Sequence, residues 1–261
     1  MKSLQIAATG MAAQQMRVDV ISNNIANMST AAYRPRVAEF SDLVYQQYLT
    51  PGTITSQLGT VVPAGIQVGT GVKASTVSVE ITQGSMRQSG GELDLAIDGN
   101  GFFEVQLPDG ETVFTRDGKL NRSQDGQIVT MDGYPLADGI TIPDDANRIS
   151  ISRDGQVTAY FDNTETGQSI GVISLVSFVN EKGLEAVGDN LFRLTEASGD
   201  ANRQVAGTNG LGTIRQGFIE DSSVDVVKEI SDLIEAQRGY ELNSKVITAS
   251  DEMLAATTRL R

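Results

Sequence analysis

The sequence contains no cysteine, no histidine and no tryptophan. Without cysteine and histidine the chain cannot form a disulfide, a Ser-His-Asp or Cys-His catalytic site, or a metal site built on thiolates or imidazoles. Carboxylates, lysine, tyrosine and serine remain for catalysis, but no pair of carboxylates is singled out by its spacing. We therefore predict that the protein is not an enzyme.

Aromatic residues are also scarce, at 5% of the chain, whereas glycine occurs 27 times. This composition favours turns and short strands over a large α/β core. Hydrophobic residues still reach 39% of the 261 positions, which is enough for a globular core.

Positive charge is rare in the middle of the chain. Residues 90–200 carry 20 acidic and 7 basic side chains, which accounts for the whole net charge of −13. Such a region repels nucleic acid and anionic membrane surfaces. We expect it to be a solvated surface that keeps the protein in solution.

Long hydrophobic runs are absent from the sequence. The longest, "IGVISLVSFV" at 170–179, is shorter than the roughly 20 residues that span a bilayer, and we predict a buried strand there. Polar residues such as Gln5, Gln14 and Gln15 interrupt the N-terminal region, so a cleavable signal peptide is not expected.

Apolar residues in the first thirty positions recur with a seven-residue period. One series is Leu4, Met11, Val18 and Ile25, and a second, three residues on, is Ala7, Ile21 and Met28. A narrow stripe of this kind is typical of a helix that packs along one partner helix, with packing on its own domain as the alternative. We expect Arg34-Pro35 to end the helix.

The other end of the chain has a matching pattern. Its series is Val226, Leu233, Tyr240, Ile247 and Leu254, widened by Ile230, Ile234, Val246, Met253 and Leu260. Ser222 with Asp225 resembles a capping box, and a helix from about 223 to 260 would be roughly 55 Å long. We predict that the two terminal helices form an antiparallel pair.

The middle of the chain is punctuated by turns. Asp-Gly, a common hairpin dipeptide, occurs seven times between residues 98 and 155. Strand-like runs lie between the turns: "FFEVQL" at 102–107, "TVFTR" at 112–116, "QIVTM" at 127–131, "RISIS" at 148–152 and "QVTAY" at 156–160. This pattern predicts an all-β domain.

The predicted fold class is α+β, in which long N- and C-terminal helices form an antiparallel coiled-coil-like domain around a central all-β domain. We place the N-terminal helix at 1–34, an extended or hairpin connector at 35–70, the β-rich domain at 71–221 and the C-terminal helix at 222–261.

Two short motifs suggest ligands, but their context argues against both. "GTGVKA" at 69–74 fits a variant of the dinucleotide fingerprint, yet the following "KASTVSVEI" predicts a strand where that fingerprint needs a helix. "DLAIDGNGFFEV" at 94–105 lacks the alternating ligands and closing glutamate of a calcium loop. We predict no cofactor and no metal.

Three longer segments carry a family resemblance. "ISNNIANMSTAAYRPRVAEFSDLVYQQ" at 21–47 and "SSVDVVKEISDLIEAQRGYELNSKVITASDEML" at 222–254 resemble the N- and C-terminal signatures of bacterial flagellar rod and hook proteins. "ITQGSMRQSGGELDLAIDGNGFFEVQLPDGETVFTRDG" at 81–118 is similar to their central motif. The resemblance covers nearly the whole chain and, within the family, is closest to the distal rod protein.

This resemblance implies a structural subunit that polymerises helically into the distal rod of the flagellar basal body and transmits torque to the hook. It implies a place in the rod that crosses the periplasm and export through a dedicated channel without a cleavable signal peptide. The implied partners are copies of the chain, proximal rod and hook subunits, the surrounding ring proteins and the export apparatus. Nucleic acid and membrane insertion are not among them.

In such proteins the terminal helices line an inner tube and pack against neighbouring subunits. We therefore expect the self-assembly interface at Leu4, Met11, Val18, Ile21, Asn23, Asn24, Ile25, Asn27, Met28, Val226, Ile230, Leu233, Tyr240, Ile247 and Leu254. The three asparagines are expected to hydrogen-bond across subunits and set the register, with exposure to a solvated channel as the alternative.

The sequence departs from the family pattern at three positions. Ala32 stands where glycine is usual before the aromatic residue, Pro35 where a basic residue is common, and Gly239 where alanine is common. The alternative functions are a hook or proximal-rod subunit of the same family, or a secreted ligand-binding β-domain with a helical dimerisation stalk.

Overall fold

In the computed structural model, two long helices lie at the ends of a chain of short strands. The structure describes residues 2–51, 64–162 and 167–259. The helices are α1 (Lys2–Ala26) and α2 (Val226–Arg259), and a 3-10 turn occupies Glu181–Gly183. The α+β class is confirmed by this content.

The strands of the described ranges are short. They are β1 (Arg36–Asp42), β2 (Tyr45–Leu49), β3 (Ile66–Gly69), β4 (Val72–Val79), β5 (Met86–Gln88), β6 (Leu95–Asp98), β7 (Phe103–Gln106), β8 (Thr112–Thr115), β9 (Asn121–Arg122), β10 (Ile128–Val129), β11 (Ala146–Ile151), β12 (Gln156–Phe161), β13 (Gln168–Val172), β14 (Ser174–Ser177), β15 (Glu185–Gly188), β16 (Leu191–Arg193), β17 (Asn202–Val205), β18 (Thr213–Gln216) and β19 (Phe218–Glu220).

The chain divides into two compact units. The helical unit combines α1, β1 to β4 and α2, and the β unit combines residues 27–35 with residues 80–224. Residues 27–35, predicted to belong to the N-terminal helix and the start of the connector, thus pack with strands, because Ala32 N donates to Glu220 O (2.9 Å). Strand β4, predicted to open the β-rich domain, belongs to the helical unit because it pairs with β1.

The helical unit contains two antiparallel strand pairs beside its helices. β1 pairs with β4, with Arg36 opposite Val79, and β2 pairs with β3, with Tyr45 opposite Gly69. The strand predicted from "KASTVSVEI" is confirmed as β4. The central residues of the predicted connector, 52–63, lie outside the described residues, as does Leu260. Among the described helices, neither is long and apolar enough to cross a membrane.

The β unit is built from small antiparallel sheets that share one core. The largest has the order β15-β16-β8-β7, and a second has the order β11-β12-β13. Its core side chains include Leu95, Ile97, Phe103, Val105, Val113, Ile142, Val157, Ile173, Leu175 and Ile214, each at most 1% exposed. Phe102, Phe114 and Val176 form a second, smaller cluster.

The five predicted strands between Asp-Gly turns are confirmed as β7, β8, β10, β11 and β12. The single strand predicted at 170–179 is wrong, because the chain forms β13 and β14 with a break at Ile173. Ile173 N donates to Gly155 O (2.8 Å) and its side chain is fully buried. At this point the pairing partner changes from β12 to β17.

Each helix differs from its prediction at one end, because α1 ends earlier than expected and α2 begins later. α1 ends at Ala26, well before Arg34-Pro35, and the next residues form a turn in which Thr30 N donates to Asn27 O (3.2 Å). Asp225 caps α2, because its Oδ1 accepts from the backbone N–H groups of Val227 (3.0 Å) and Lys228 (3.2 Å). The predicted capping box starting at Ser222 is wrong.

Among its described residues, the β unit contains one fully buried charged pair and one largely buried pair. Arg116 Nε lies 2.6 Å from Glu220 Oε2, and both side chains are at most 2% exposed. The other guanidinium nitrogens of Arg116 donate to the carbonyl oxygens of Gly99, Gly101 and Ile97. Burial lowers the pKa of Arg116, and the carboxylate of Glu220 opposes that shift. The second pair joins Arg34 Nη1 to Glu181 Oε2 at 2.7 Å.

Candidate interaction surface of the helical unit

The two helices contact each other along a seam of small and polar side chains. Contacts join Ser3 to Ser250 (3.4 Å between hydroxyl oxygens), Arg17 to Asp232 (2.9 Å) and Asn24 to Glu229 (3.2 Å). Gly10 faces Asn243, and Gly239 faces Gln14. Residue numbers rise along one helix as they fall along the other, so the helices run antiparallel.

The seam positions recur every three or four residues, except for one step of seven between Asn243 and Ser250. On α1 they are Ser3, Ala7, Gly10, Gln14, Arg17, Ile21 and Asn24, and on α2 they are Glu229, Asp232, Ala236, Gly239, Asn243 and Ser250. Ala7, Ile21 and Ala236 are buried apolar members at 0–5% exposure. Most residues of the predicted apolar series therefore lie outside the contact between the two helices of one chain.

The predicted apolar residues lie beside this seam. Leu4, Met11, Val18 and Ile25 each follow a seam residue by one position. Val18 and Tyr240 line the same groove of about 420 Å³ with Gln15, Gln237 and Glu241. Since a seven-residue step returns nearly to the same helix face, the other members of each series lie along the same side.

We call this side the open flank, defined by Leu4, Met11, Val18, Ile25, Val226, Leu233, Tyr240, Ile247 and Leu254. Tyr240 is 43% exposed and Leu254 36%, and the other members are half-buried. Ile230, on the outer face of α2, is 46% exposed. Of the predicted interface residues in the helices, only Ile21 and Asn24 are enclosed by their own chain.

The opposite side of α1 is covered by strands. β1 and β4 pack on α1, and Val72 N donates to the hydroxyl of Thr9 (3.4 Å). A groove of about 280 Å³ remains between α1, β1 and the start of α2, lined in part by Val20, Val37 and Phe40. We call this side the covered flank.

The three predicted asparagines occupy different environments. Asn23 is exposed on α1. Asn24 is 1% exposed, and its amide bonds to the backbone of Arg36 and to Glu229. Asn27 belongs to the β unit with Met28, and its Oδ1 accepts from the hydroxyl of Thr30 (3.1 Å). These hydrogen bonds of Asn24 and Asn27 are made within the chain.

Sequence reasoning missed Arg36 and Glu229 as partners of Asn24. A signal was present, because Asn24 shares the seven-residue spacing of Ser3, Gly10 and Arg17. A polar residue at that spacing belongs to the seam rather than to the apolar series one position later.

The electrostatics of the seam are mild. Arg17 bonds to Asp232 and also lies 3.4 Å from Glu235, and the side chains of Arg17 and Asp232 are about one-third exposed. Partly exposed pairs of this kind contribute about 0–1 kcal/mol. Within the described residues, no group of three acidic side chains is arranged to hold a metal ion.

Three family models match the chain. Residues 4–34 match "Flagella basal body rod protein", residues 96–159 match "Flagellar hook protein FlgE/F/G D1 domain", and residues 215–260 match "Flagellar basal body rod FlgEFG protein C-terminal". The matched ranges include nearly all of α1, part of the β unit and the whole of α2.

Curated relatives match over the full length. The chain is 50% identical to the flagellar basal-body rod protein FlgG of Caulobacter vibrioides, with 100% of both chains covered. It is 45% identical to FlgG of Agrobacterium fabrum, with 99% of both covered. FlgG of Bacillus subtilis is 36% identical, with 100% of this chain and 99% of that protein covered. The chain therefore belongs to the FlgG family of flagellar basal-body rod proteins.

Proposed function

We propose that the chain polymerises helically into the distal part of the rod and transmits torque to the hook without catalysing a reaction. Its role as a structural subunit of the basal-body rod follows from membership of the family. The observation that supports polymerisation is the open flank, a row of apolar side chains that the chain leaves partly exposed along its two helices.

The self-assembly interface in this proposal is the open flank together with Ile230 and Asn23. Apolar side chains that stay half-exposed along some 25 residues of α1 gain free energy when another helix covers them, at about 25 cal/mol for each Å² removed from water. Single apolar residues on a surface need no explanation, but a continuous row on two adjacent helices does.

We also propose that the helix pair is an antiparallel coiled coil. All but one of the steps between seam residues have the three- or four-residue spacing of such assemblies, and the seam holds glycine, alanine and serine, which permit close approach of the two backbones. In this proposal the seam holds the two helices together within one subunit, and the open flank binds other copies.

The mechanism is mechanical. Contacts between different surfaces of identical copies do not close on themselves and generate a helical filament. Many weak contacts on each subunit act together, so the filament resists twisting. Rod and hook subunits of related sequence at its ends, the ring proteins around it and the export apparatus are its proposed partners, in the rod that crosses the periplasm.

Two matched variants test the interface. Val18→Asp places a carboxylate on the open flank, and Ala12→Asp places the same charge at an exposed position of the same helix. We expect Val18→Asp to block polymerisation because every subunit contact would bury an unpaired charge, whereas Ala12→Asp polymerises. Electron microscopy and sedimentation over a concentration series measure the difference, with circular dichroism as a check on helix content.

Normal filaments from Val18→Asp would show that the open flank is not the interface. A wild-type chain that stops at a dimer at every concentration would contradict polymerisation itself and favour a β-domain carried on a dimerisation stalk.

A further inference from the structure

The side chain of Asn24 is bonded as if it were part of a neighbouring strand. Its Oδ1 accepts from Arg36 N (2.9 Å), and its Nδ2 donates to Arg36 O (2.8 Å). A carboxamide offers the same donor and acceptor as a peptide group, and no other side chain except glutamine does so. Asn24 therefore satisfies both main-chain groups of the first residue of β1.

Strand β1 needs contacts such as these hydrogen bonds to stay in place. Among the described strands it pairs with β4 alone, and neither of the two contains a fully buried side chain. A two-stranded sheet is at best marginally stable in water. The β1–β4 pair therefore needs contacts with α1, and Asn24 supplies two hydrogen bonds at the point where β1 begins.

Asn24 also connects this strand to the second helix. Its Nδ2 lies 3.2 Å from Glu229 Oε1, and Glu229 is 8% exposed in the first turn of α2. One side chain thus joins α1, β1 and α2. Near the other end of β1, the hydroxyl of Thr9 receives the N–H of Val72 from β4, through a longer contact of 3.4 Å.

We propose that Asn24 is a positioning residue for self-assembly, which holds β1 against α1 so that the covered flank stays closed to other copies. If β1 moved away, Val20 and Phe40 on the covered flank would become a second apolar surface. Two available flanks would permit more than one mode of packing, and the polymer would lose its regular geometry. The role in assembly rests on the proposed function.

Hydrogen exchange of the Arg36 amide tests the anchor in the full chain. Asn24→Ala removes the acceptor, and we expect the amide to exchange at least about tenfold faster, which corresponds to about 1.4 kcal/mol, because the N–H of Arg36 then has no partner on α1. Asn24→Asp keeps the acceptor but would place a second buried carboxylate against Glu229, so it is combined with Glu229→Gln. The exchange rate of this double variant should lie between those of the wild type and Asn24→Ala. Ser22→Ala, at an exposed position of the same helix, should exchange like the wild type.

Unchanged exchange at Arg36 in Asn24→Ala would overturn the inference, and so would an equal increase in Ser22→Ala. If Asn24→Ala loses its fold, the comparison of Asn24→Asp/Glu229→Gln with Ser22→Ala decides the test, and equal exchange at Arg36 in these two would overturn the inference.

Electron microscopy of the same variants tests the consequence for assembly. We expect uniform rods from the wild type and irregular aggregates from Asn24→Ala. Uniform rods from Asn24→Ala, despite faster exchange at Arg36, would overturn the positioning role. Absence of rods from the wild type would contradict the proposed function instead, and the exchange rates would still decide whether Asn24 anchors β1.

Discussion

Arg116 and Glu220 bring opposite charges into the interior of the β unit, where the solvent can stabilise neither. The pair is completed by three carbonyl oxygens around Arg116 and by the N–H of Gly84, which donates to Glu220 Oε1 (3.0 Å). Removing one member of such a pair is costly because the other remains charged and buried.

We therefore predict that Glu220→Gln lowers the free energy of unfolding of the β unit by about 3 kcal/mol. The matched control is Glu111→Gln, since Glu111 pairs with Arg193 (2.6 Å) where both side chains are about 40% exposed. That change should cost at most about 1 kcal/mol. Urea unfolding followed by near-ultraviolet circular dichroism compares them, and equal losses would contradict the argument from burial.

Asp117 is a partly buried acid without a charged partner as close as that of Glu220. Burial raises the pKa of its carboxyl group. Asp94 and Asp132 raise it further, while the N–H of Lys119, which donates to Oδ1 (3.0 Å), acts against the shift. Because the pKa is higher in the folded state than in the unfolded chain, the folded state binds the proton more tightly. Stability is therefore lost as the pH rises from the unfolded value, about 3.9, through the folded one.

Asp117→Asn keeps the acceptor for Lys119 and removes the ionisation. We predict that it is more stable than the wild type at pH 7 and that this gain disappears below about pH 3.9. Asp109→Asn is the control, because Asp109 accepts from Glu111 N in the same way (3.0 Å) but is exposed. Urea midpoints at the two pH values provide the measurement, and a gain that does not vary with pH would exclude ionisation as its cause.

At the scale of elements, the sequence predicted both helices and six of the nineteen described strands, because periodicity and turn dipeptides are local signals. Six of the seven glycines in Asp-Gly pairs adopt positive φ, as those turns require. Gly118 does not. A Cβ there would overlap the carbonyl oxygen of Leu95, so this glycine permits a close approach of two backbones that no local pattern reveals.

The contact between the two helices is another feature that local sequence patterns do not predict. Two adjacent seven-residue series are present on each helix, and the apolar one is the more visible. Which series contacts the other helix is decided by three-dimensional packing, and the small, polar series does so. Ala32 adopts a φ of 54°, a left-handed conformation that glycine reaches more easily than alanine and that no local pattern predicted.

Gly239 offers a test of the seam. Alanine is favoured over glycine inside a helix by about 1 kcal/mol, but a Cβ at 239 would lie 3.1 Å from Gln14 Cδ. We predict that Gly239→Ala stabilises the Gln14→Ala variant by about that amount and the wild type by less. Thermal unfolding of the four proteins in a double-mutant cycle gives the coupling. Equal gains in both backgrounds would mean that Gln14 does not pack on Gly239.

At the scale of the whole molecule, repulsion between negatively charged copies opposes their assembly. The net charge is −13, and the acidic excess lies between residues 90 and 200, whereas the apolar rows lie on the terminal helices. Copies in a filament therefore bring like charges together while they bury apolar surface. Salt shortens the range of this repulsion, since the Debye length falls from about 30 Å at 0.01 M to about 10 Å at 0.1 M.

We predict that polymerisation of the purified chain becomes faster as sodium chloride rises from about 0.01 to 0.1 M, because screening weakens repulsion between copies while the apolar contacts persist. Light scattering measures the rate. The matched variant Asp145→Asn/Glu196→Gln/Asp200→Asn removes three exposed negative charges, so it should polymerise faster than the wild type at low salt and respond less to added salt. If salt slowed the wild type instead, attraction between opposite charges, rather than burial of the open flank, would drive the contact between copies.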